Sequence, residues 1–452
     1  MDTKKLRQKI LDLAIRGKLV PQDPNDEPAS VLLERIRAEK EQLIKEGKIK
    51  RSKKSAASDT SHYENVPFEV PDGWSWTTLG EIGNWQAGAT PSRMRKDYYG
   101  GKIPWLKTGD LTDGYIYDIP ETITDKALDE TSVKLNPSGS VLIAMYGATI
   151  GKVGILTCPA TTNQACCACV GYKAVTQKYL FYFLLSHKEE FIKMGGGGAQ
   201  PNISKEKITS TLIPIPPIAE QNRITNEVEH LIALIESIEF NRAKLDQSIR
   251  LCKDSILDLA TSGKLVTQDS SDEPALELLK RINPSFEPCD NRHYANLPET
   301  WEEGELGAIC QLFDGKKVTD KELINLDVKY LRGAKEGDIL SSGKYVPKDA
   351  LMILVDGENS GEVFITPHEG YQGSTFKQLN IYPELNRDYV LLLIQHCREF
   401  LKDNKVGSAI PHLNKKLFKQ IHVPIPPYNE QERIVQTVRT IMFKLDKILA
   451  DL

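Results

Sequence analysis

The chain lacks the segments that would direct it into or across a membrane. None of its 452 residues belongs to a run approaching the roughly eighteen apolar residues that a membrane-spanning helix needs. The opening Met-Asp-Thr-Lys-Lys-Leu has no apolar signal-peptide core. These absences predict a cytoplasmic protein.

Catalytic motifs are also missing. The histidines are isolated, and neither His-Glu-x-x-His nor a dinucleotide glycine fingerprint occurs. The run Gly147–Val153 is too short for a phosphate-binding loop and ends in Val where a Mg²⁺-binding Ser or Thr would stand. Two Ile-Pro-Pro runs, at Ile215 and Ile425, lack the polar first residue of the amino-methyltransferase motif. We therefore predict no catalytic residues in this chain.

Cysteine is scattered, and its spacing does not indicate a metal site. Cys166, Cys167 and Cys169 lie in an apolar, strand-like run that does not match the paired ligands of zinc sites. Free cysteine is usually buried, so we interpret these three residues as core residues and predict no metal ligands.

The chain has no excess of positive charge. Its 58 Lys and Arg residues against 62 Asp and Glu residues give a net charge of −4. Any nonspecific attraction to nucleic-acid phosphates would therefore have to come from local patches. The polar stretch 38–60 is locally basic and is interpreted as a helix end followed by a mobile linker, with a nucleic-acid contact as the less favoured alternative.

What the chain does contain is a circularly permuted repeat. Residues Ile10–Ile36 match Ile256–Ile282 at an offset of 246, with 19 of 27 positions identical. Residues Pro214–Ile224 recur as Pro424–Ile434 at an offset of 210. The two chain ends together rebuild the central segment, which predicts a pseudo-twofold protein.

A heptad pattern of apolar residues predicts the long helices. It predicts a helix from Pro216-Pro217 to Gly263 that packs antiparallel against a composite of both chain ends. The alternative is an amphipathic helix packed on a globular core. The predicted coiled-coil residues are Ile224, Val228, Leu231, Ile235, Ile238, Leu245, Ile249, Ile256, Leu259, Ile434, Val438, Ile441, Leu445 and Ile448.

The segments between these helices predict two mixed α/β domains. Apolar runs around Gly-containing turns predict β-hairpins at 141–156 and 351–365, and helices are expected at 179–191 and 389–401. The fold class is thus α+β, with two α/β domains separated by long antiparallel coiled-coil helices and related by an internal pseudo-twofold. The predicted segments are 1–60 (N-terminal helical region and basic linker), 61–215 (first α/β domain), 216–289 (central helical spacer), 290–425 (second α/β domain) and 426–452 (C-terminal helix).

The motifs, in this order, resemble the DNA-specificity subunits of type I restriction–modification systems over essentially the full length. The resemblance implies a noncatalytic subunit with two target-recognition domains, each reading one half of a bipartite, asymmetric double-stranded DNA sequence. The motifs that carry it are Gly-Lys-Leu-Val with Asp-Glu-Pro-Ala, Ala89–Ser92, Ile103–Leu111, Gly147–Leu156 with Ala160–Ala165, Tyr330–Gly333, Asp356–Val363 and the twice-seen Pro-Ile-Pro-Pro-x-x-Glu-Gln-x-Arg-Ile.

The resemblance also implies partners. The helices would set the spacing of the half-sites and bind two methyltransferase subunits, which carry S-adenosylmethionine and methylate adenine at N6. Two motor–nuclease subunits, which use ATP and Mg²⁺, would join for restriction, and this chain itself would hold no cofactor. A methylation-only system and a coiled-coil scaffold without its own DNA reading remain alternatives.

Candidate DNA contacts are polar loop residues. Arg and Lys can bind guanine edges and Asn and Gln adenine edges, although most contacts in such complexes go to phosphates. Each candidate could instead be a solvated loop charge or a turn residue. In the first domain the candidates are Ser92, Arg93, Arg95, Lys96, Lys107, Thr108, Asp110, Tyr146, Lys152, Gln164 and Asn202. In the second they are Lys316, Lys317, Arg332, Lys335, Asn359, Lys377, His412 and Asn414.

Overall fold

The chain divides into two compact units, Met1–Phe240 and Asn241–Leu452, in a computed structural model. The structure describes residues 2–47, 66–172, 175–196, 201–288, 293–294, 296–405 and 412–451. The boundary between the units falls within a helix of 44 residues. Most of the basic stretch predicted as a linker, 48–60, lies outside the described residues.

The first unit begins with two helices and continues into an α/β body. Its elements are α1 (Thr3–Ile15), α2 (Ala29–Lys45), β1 (Ser75–Thr78), α3 (Leu79–Ile82), β2 (Gly83–Ala87), β3 (Tyr99–Leu106), β4 (Gly114–Ile116), β5 (Thr122–Ile123), α4 (Asp125–Glu130), β6 (Val141–Ala144), β7 (Val153–Leu156), β8 (Thr161–Thr162), β9 (Cys166–Gly171), α5 (Gln177–Ser186), α6 (Lys188–Met194), α7 (Lys205–Thr209), β10 (Leu212–Ile215) and α8 (Ile218–Thr261).

Three sheets form the body of this unit. Five strands pair in the order β2-β9-β6-β7-β4, three in the order β5-β3-β8, and β1 pairs with β10. The predicted hairpin is confirmed: β6 and β7 are antiparallel, with Val141 opposite Ile155. Every residue of β6 and β7 is buried, which explains why the sequence shows continuous apolar runs there rather than alternation.

The second unit repeats this plan. Its elements are the remainder of α8 and then α9 (Ala275–Ile282), β11 (Glu302–Glu305), α10 (Leu306–Ile309), β12 (Cys310–Phe313), β13 (Lys317–Leu326), α11 (Val328–Leu331), β14 (Ile339–Val346), β15 (Leu351–Leu354), β16 (Val363–Ile365), β17 (Gly370–Gln372), β18 (Phe376–Ile381), α12 (Arg387–His396), α13 (Arg398–Asp403), α14 (Lys415–Gln420), β19 (His422–Ile425) and α15 (Tyr428–Ala450).

Strand pairing in the second unit matches the first in its main features. Four strands pair in the order β12-β18-β15-β16, β11 pairs with β19, and β13, β14 and β17 all pair with one another. The second predicted hairpin is confirmed by the antiparallel pairing of Leu351 with Ile365. The long helix also has the predicted extent, and the chain has the predicted α+β fold with an internal repeat.

The single helices expected at 179–191 and 389–401 are each two helices. The breaks lie at His187, with φ −94° and ψ 10°, and at Cys397, with φ −78° and ψ −2°. Both ψ angles differ from the helical value near −42°, so the chain turns while the apolar spacing continues. The hydrophobic pattern is insensitive to such a turn, which is why the sequence indicated one helix.

The repeated sequence motifs close each unit with the same contacts. Glu220 is 1% exposed and accepts hydrogen bonds from Trp74 Nε1 at 2.9 Å and Gln22 Nε2 at 2.7 Å. In the second unit the equivalent residue accepts from Trp301 Nε1 at 2.9 Å and from Gln268 Nε2 at 2.6 Å. The Glu of the Pro-Pro-x-x-Glu-Gln motif therefore binds the segment that follows Gly-Lys-Leu-Val.

A second pair of contacts explains the Asp and the Arg of the motifs. Arg223 pairs with Asp26 at 2.6 Å, and Arg433 pairs with Asp272 at the same distance. Gly17 has φ +67°, and a Cβ at this position would lie 2.4 Å from Cγ of the ring of Pro71, so only glycine fits there.

Burial along the predicted coiled-coil positions is uneven. Ile224, Val228 and Ile235 pack into the core of the first unit, so this part of the heptad stripe faces the body of its own domain. The side chains at three other predicted positions are exposed. These are Ile238 (46%), Leu259 (41%) and Ile448 (47%).

Ile238 and Ile448 are equivalent positions in the repeat, and each lies beyond the part of its helix that covers a core. Leu231, Leu245, Ile441 and Leu445 are half-buried.

The prediction that three of the cysteines are core residues is confirmed. Cys166, Cys167 and Cys169 are fully buried in β9, and burial raises the pKa of Cys167 to about 12. Among the described residues, no helix combines the length and the apolar character needed to cross a membrane.

Candidate nucleic-acid interface

Backbone hydrogen bonds gather the candidate loops of the first domain. The N–H of Asn163 donates to the carbonyl of Leu106 at 2.9 Å, which joins two of these loops. The N–H of Met145 donates to Ala165 at 2.8 Å, and the N–H of Ile203 donates to Met145 at 2.8 Å. The loops that carry Lys107, Gln164, Tyr146 and Asn202 are therefore adjacent.

Two of the predicted basic residues share one carboxylate. Lys107 Nζ donates to Glu121 Oε1, and Arg93 Nη2 lies 2.9 Å from Oε2 of the same group. The bond from Lys107 contributes most to holding the pKa of Glu121 below its usual value. The guanidinium of Arg93 also lies 4.5 Å from the ring centre of Tyr99 and 5.0 Å from that of Trp105. This cation–π contact holds the guanidinium of Arg93 against the two aromatic rings.

In the loop after the Ala-Thr-Pro turn, the charge of Arg95 is paired with an acid of the same loop. Arg95 donates two hydrogen bonds to Asp97, at 2.8 and 2.7 Å, and Lys126 Nζ lies 2.9 Å from the same carboxylate. These bonds, first that from Arg95, hold the pKa of Asp97 well below its usual range. Ser92 closes the turn through its carbonyl, and Lys96 is exposed.

The remaining candidates of this domain have mixed environments. Gln164 accepts a hydrogen bond from Thr90, and Tyr146 forms an antiparallel bridge with Asn202. Lys152 Nζ donates to a backbone carbonyl at 3.4 Å, so its ammonium is tied to the body of the domain. Thr108 and Asp110 lie in a short 3₁₀ turn, where the carboxylate of Asp110 accepts the N–H of Lys107 at 2.8 Å. Asp110 thus caps this turn.

The second domain has a cleft of about 580 Å³ that contains one of the candidates, Lys377. Lys377 donates to Asp314, whose carboxylate also accepts from Lys344 at 2.8 Å and from Gln372 at 2.9 Å. These bonds, first that from Lys344, hold the pKa of Asp314 well below its usual range. The cleft is lined by Asp314, Asn325, Leu340, Lys344, Val355, Asp356, Gln372, Gly373, Ser374, Phe376, Lys377 and Lys415.

Other candidates surround this cleft. His412 Nδ1 lies 2.7 Å from Oδ1 of Asp356, which lines the cleft. Lys316 and Lys317 are exposed, without a carboxylate partner in the described part of the chain. Asn414 accepts the N–H of Leu417 at 3.0 Å and is the N-cap of α14, so its carbonyl oxygen serves the helix.

The remaining three candidates of the second domain are Arg332, Lys335 and Asn359, which do not line the cleft either. Arg332 pairs with Glu362, and its guanidinium lies 5.9 Å from the ring centre of Phe364. Lys335 pairs with Asp327 at 2.8 Å and with Asp338 at 2.7 Å. Asn359 is exposed in the turn between β15 and β16.

Equivalent positions of the two domains have the same backbone geometry and different side chains. The antiparallel bridge of Tyr146 with Asn202 recurs at an offset of 210 as that of Asp356 with His412. The basic Lys152 corresponds to Glu362 by the same offset. The repeat therefore holds different hydrogen-bonding groups in matching places.

Sequence reasoning missed the acidic and aromatic partners. Glu121 lies 14 residues from Lys107, and Asp314 lies 63 residues from Lys377. No local pattern marks such pairs, because the folded loops bring them together.

The chain was compared with known proteins. Residues 71–247 and 298–450 match the family model of the type I restriction modification DNA specificity domain. The chain is 27% identical to the EcoAI specificity subunit of Escherichia coli, over 98% of this chain and 90% of that protein. It is 32% identical to the EcoEI specificity subunit, over 69% of this chain and 62% of that protein. It is 28% identical to the MjaIX specificity subunit of Methanocaldococcus jannaschii, over 86% of this chain and 91% of that protein.

Solved structures share the fold. A chain from a type I R-M system matches with a TM-score of 0.61 and 18% identity, over 85% of this chain and 94% of that one. The HsdS subunit from Thermoanaerobacter tengcongensis matches with a TM-score of 0.54 and 19% identity, over 84% of this chain and 92% of that one.

Proposed function

The chain belongs to the family of type I restriction–modification DNA specificity subunits, which are noncatalytic components, and we propose that it reads a bipartite, asymmetric DNA target. One domain, within 61–215, reads one half-site, and the other, within 290–425, reads the second. The central segment 216–289 and the C-terminal helix 426–452 fix the distance between the half-sites.

The observation that carries this proposal is the chemical difference at matched positions. A bridge with a phenol and an amide in one domain has a carboxylate and an imidazole in the other, at Tyr146 and Asn202 against Asp356 and His412. Base edges are distinguished by their donor and acceptor patterns, so different side chains on one scaffold read different bases. Two unlike half-sites make an asymmetric target.

The proposed base contacts are candidates in the adjacent loops of the first domain and in or around the cleft of the second domain. In the first domain these are Arg93, Lys107, Tyr146, Gln164 and Asn202, with Arg95 and Lys96 on phosphates. In the second they are Lys316, Lys317, Lys377 and His412. Asp110 and Asn414 serve as caps and are not included.

The proposed partners are two methyltransferase subunits, which supply S-adenosylmethionine and methylate adenine, and two motor–nuclease subunits that use ATP and Mg²⁺. The chain's charge of −4 supports this assembly, because nonspecific DNA affinity then depends on partner subunits. We expect weak DNA binding by the chain alone.

Methylome mapping tests the proposal. The gene is expressed with its partner methyltransferase in cells that lack N6-methyladenine, and methylated adenines are mapped. The expected result is one gapped, non-palindromic motif with a fixed spacer. A continuous or palindromic motif, or methylation that does not require this chain, would contradict the proposal.

A further inference from the structure

A buried carboxylate in the second unit lies between two histidines. The side chain of Glu303, on β11, is 2% exposed. Its Oε1 atom lies 2.7 Å from Nδ1 of His293 and 3.0 Å from Nδ1 of His422. The candidate ligand atoms of the three residues all lie within 4.8 Å of one another. Nothing in the reading of DNA uses this cluster, which lies outside the loops of the candidate interface.

The two imidazole rings lie face to face, each with its Nδ1 atom beside the carboxylate of Glu303. The imidazoles of His293 and His422 are stacked, with ring centres 3.9 Å apart and an angle of 24° between their planes. Both Nδ1 atoms lie within 3.0 Å of the same oxygen of Glu303.

One of these nitrogens lacks a hydrogen bond. Nδ1 of His422 is buried and has no hydrogen-bond partner, although it lies 3.0 Å from the carboxylate oxygen, because the contact is not oriented as a hydrogen bond. An unpaired buried polar atom is costly and needs an explanation. A cation bound beside Glu303, with the rings turned so that this lone pair faces the ion, would supply one.

The other carboxylate oxygen is held by the backbone. Oε2 of Glu303 accepts the N–H of His293 at 2.8 Å and that of Tyr294 at 3.2 Å. These bonds orient the carboxylate, as the outer contacts of a metal ligand do. Within the described residues no Lys or Arg pairs with Glu303, so the two imidazoles are its only potentially cationic partners.

We propose that His293, Glu303 and His422 form a binding site for a divalent cation of the zinc class. Zn–N and Zn–O bonds of about 2.0–2.2 Å in a tetrahedron place neighbouring ligands roughly 3.3 Å apart. The two observed nitrogen–oxygen distances, 2.7 and 3.0 Å, need to open by about 0.6 and 0.3 Å, and one of the stacked rings must turn so that both lone pairs point at the ion. Three protein ligands leave the fourth position for water.

The place of the site in the fold indicates a structural role. Strands β11 and β19 pair antiparallel, with Glu305 opposite His422. His293 precedes β11, and His422 is the first residue of β19. A bound ion would therefore link the segment before β11, through which the chain enters the second domain, to β19, through which it leaves.

The first unit provides an internal comparison. Its equivalent strand pair, β1 with β10, has Trp76 opposite Pro214, as Glu303 is opposite Pro424. Leu212 stands where the second unit has His422. The acid and the histidine are both replaced, so the expected stoichiometry is one ion per chain.

Metal binding by the full chain, prepared without a histidine tag, tests the site. After dialysis against Zn²⁺ and removal of free metal, we expect one zinc per chain by elemental analysis, and Co²⁺ should give a visible absorption band of a low-symmetry site. His422→Ala and Glu303→Gln should weaken Zn²⁺ binding by at least about 100-fold, the upper end of the loss caused by removing an outer contact.

Two further variants keep the test decisive. His293→Ala removes a ligand whose side chain is 55% exposed, so the domain should fold without it. His396→Ala removes a histidine of the same unit that lies outside the cluster and should keep the full metal content. Absence of bound zinc in the wild type, or equal zinc in the wild type and His293→Ala, would overturn the proposal and leave only a hydrogen-bonded cluster.

Discussion

Three of the basic residues in the proposed DNA interface are paired with acids. Arg93 and Lys107 share Glu121, Lys377 binds Asp314, and the side chain of Lys107 is 41% exposed. Exposed ion pairs contribute only about 0–1 kcal/mol each, so DNA phosphates can displace the acids at little cost. In the proposed interface, these acids would therefore tune the affinity for DNA rather than abolish it.

Glu121→Gln should strengthen DNA binding by the assembled methyltransferase. The substitution removes the charge that Lys107 and Arg93 share, which frees both for phosphate or base contacts. Each added phosphate contact should steepen the slope of log K against log salt by about 0.9. Fluorescence anisotropy at several salt concentrations measures both quantities.

The control for this substitution is Glu299→Gln, which makes the same change of charge at an exposed position of the second unit. It should leave the salt slope nearly unchanged. An unchanged or lower affinity in Glu121→Gln would show that Glu121 orients the two cations for DNA rather than competing with it.

For single residues, the sequence indicated which side chains are able to contact DNA, but it did not indicate what each side chain does in the folded chain. Arg93 and Lys107 could be chosen because their side chains can bind base edges. Their pairing with Glu121, and the capping roles of Asp110 and Asn414, depend on distances that only the folded loops establish.

Secondary-structure elements follow the hydrophobic pattern closely. The pattern predicted α8 and both hairpins because continuous burial and heptad spacing mark them directly. It could not predict the breaks at His187 and Cys397, where the backbone turns without changing the apolar spacing. Nor could it predict the exposure of Ile238, because the heptad pattern does not show how much of the helix packs against other residues.

The contact that joins α15 to the segment before β11 depends on pH. Burial raises the pKa of Glu430, while hydrogen bonds from Trp301 and Gln268 oppose this rise. Because the folded-state pKa is raised, the protonated carboxyl is favoured in the folded chain. The associated stability is present at low pH and is lost as the pH rises through the folded pKa.

Trp301→Phe should therefore destabilise the second unit more at pH 8 than at pH 5. At pH 8 the ionised Glu430 loses a donor and is left partly unsatisfied, which costs about 1–3 kcal/mol. At pH 5 a larger fraction is protonated and needs that donor less, so only the packing loss remains. Hydrogen exchange of the amides of this unit, corrected for intrinsic rates, measures the difference.

The double variant Trp301→Phe/Glu430→Gln is the matched control, because it has no carboxyl to titrate. Its stability, compared with Glu430→Gln alone, should fall equally at both pH values. An equal loss from Trp301→Phe at pH 5 and pH 8 would mean that the hydrogen bond to Glu430 contributes nothing to stability.

The repeat organises the whole molecule. The offsets of 246 and 210, read from the sequence, predict which contacts recur, and the ion pairs Arg223–Asp26 and Arg433–Asp272 follow both offsets. The sequence could not reveal where the copies diverge, such as the His–Glu–His cluster, which requires residues from three separate segments. The segment boundaries at 61–215 and 290–425 remain a prediction.

Exchange of one domain tests most directly the claim that each unit reads its own half-site. Residues 61–215 are replaced by the matching domain of a family member with a different target, and methylated adenines are mapped in cells that contain the partner methyltransferase. One half-site should be replaced, while the other half-site and the spacer length stay as in the parent. A change in both half-sites would contradict the account.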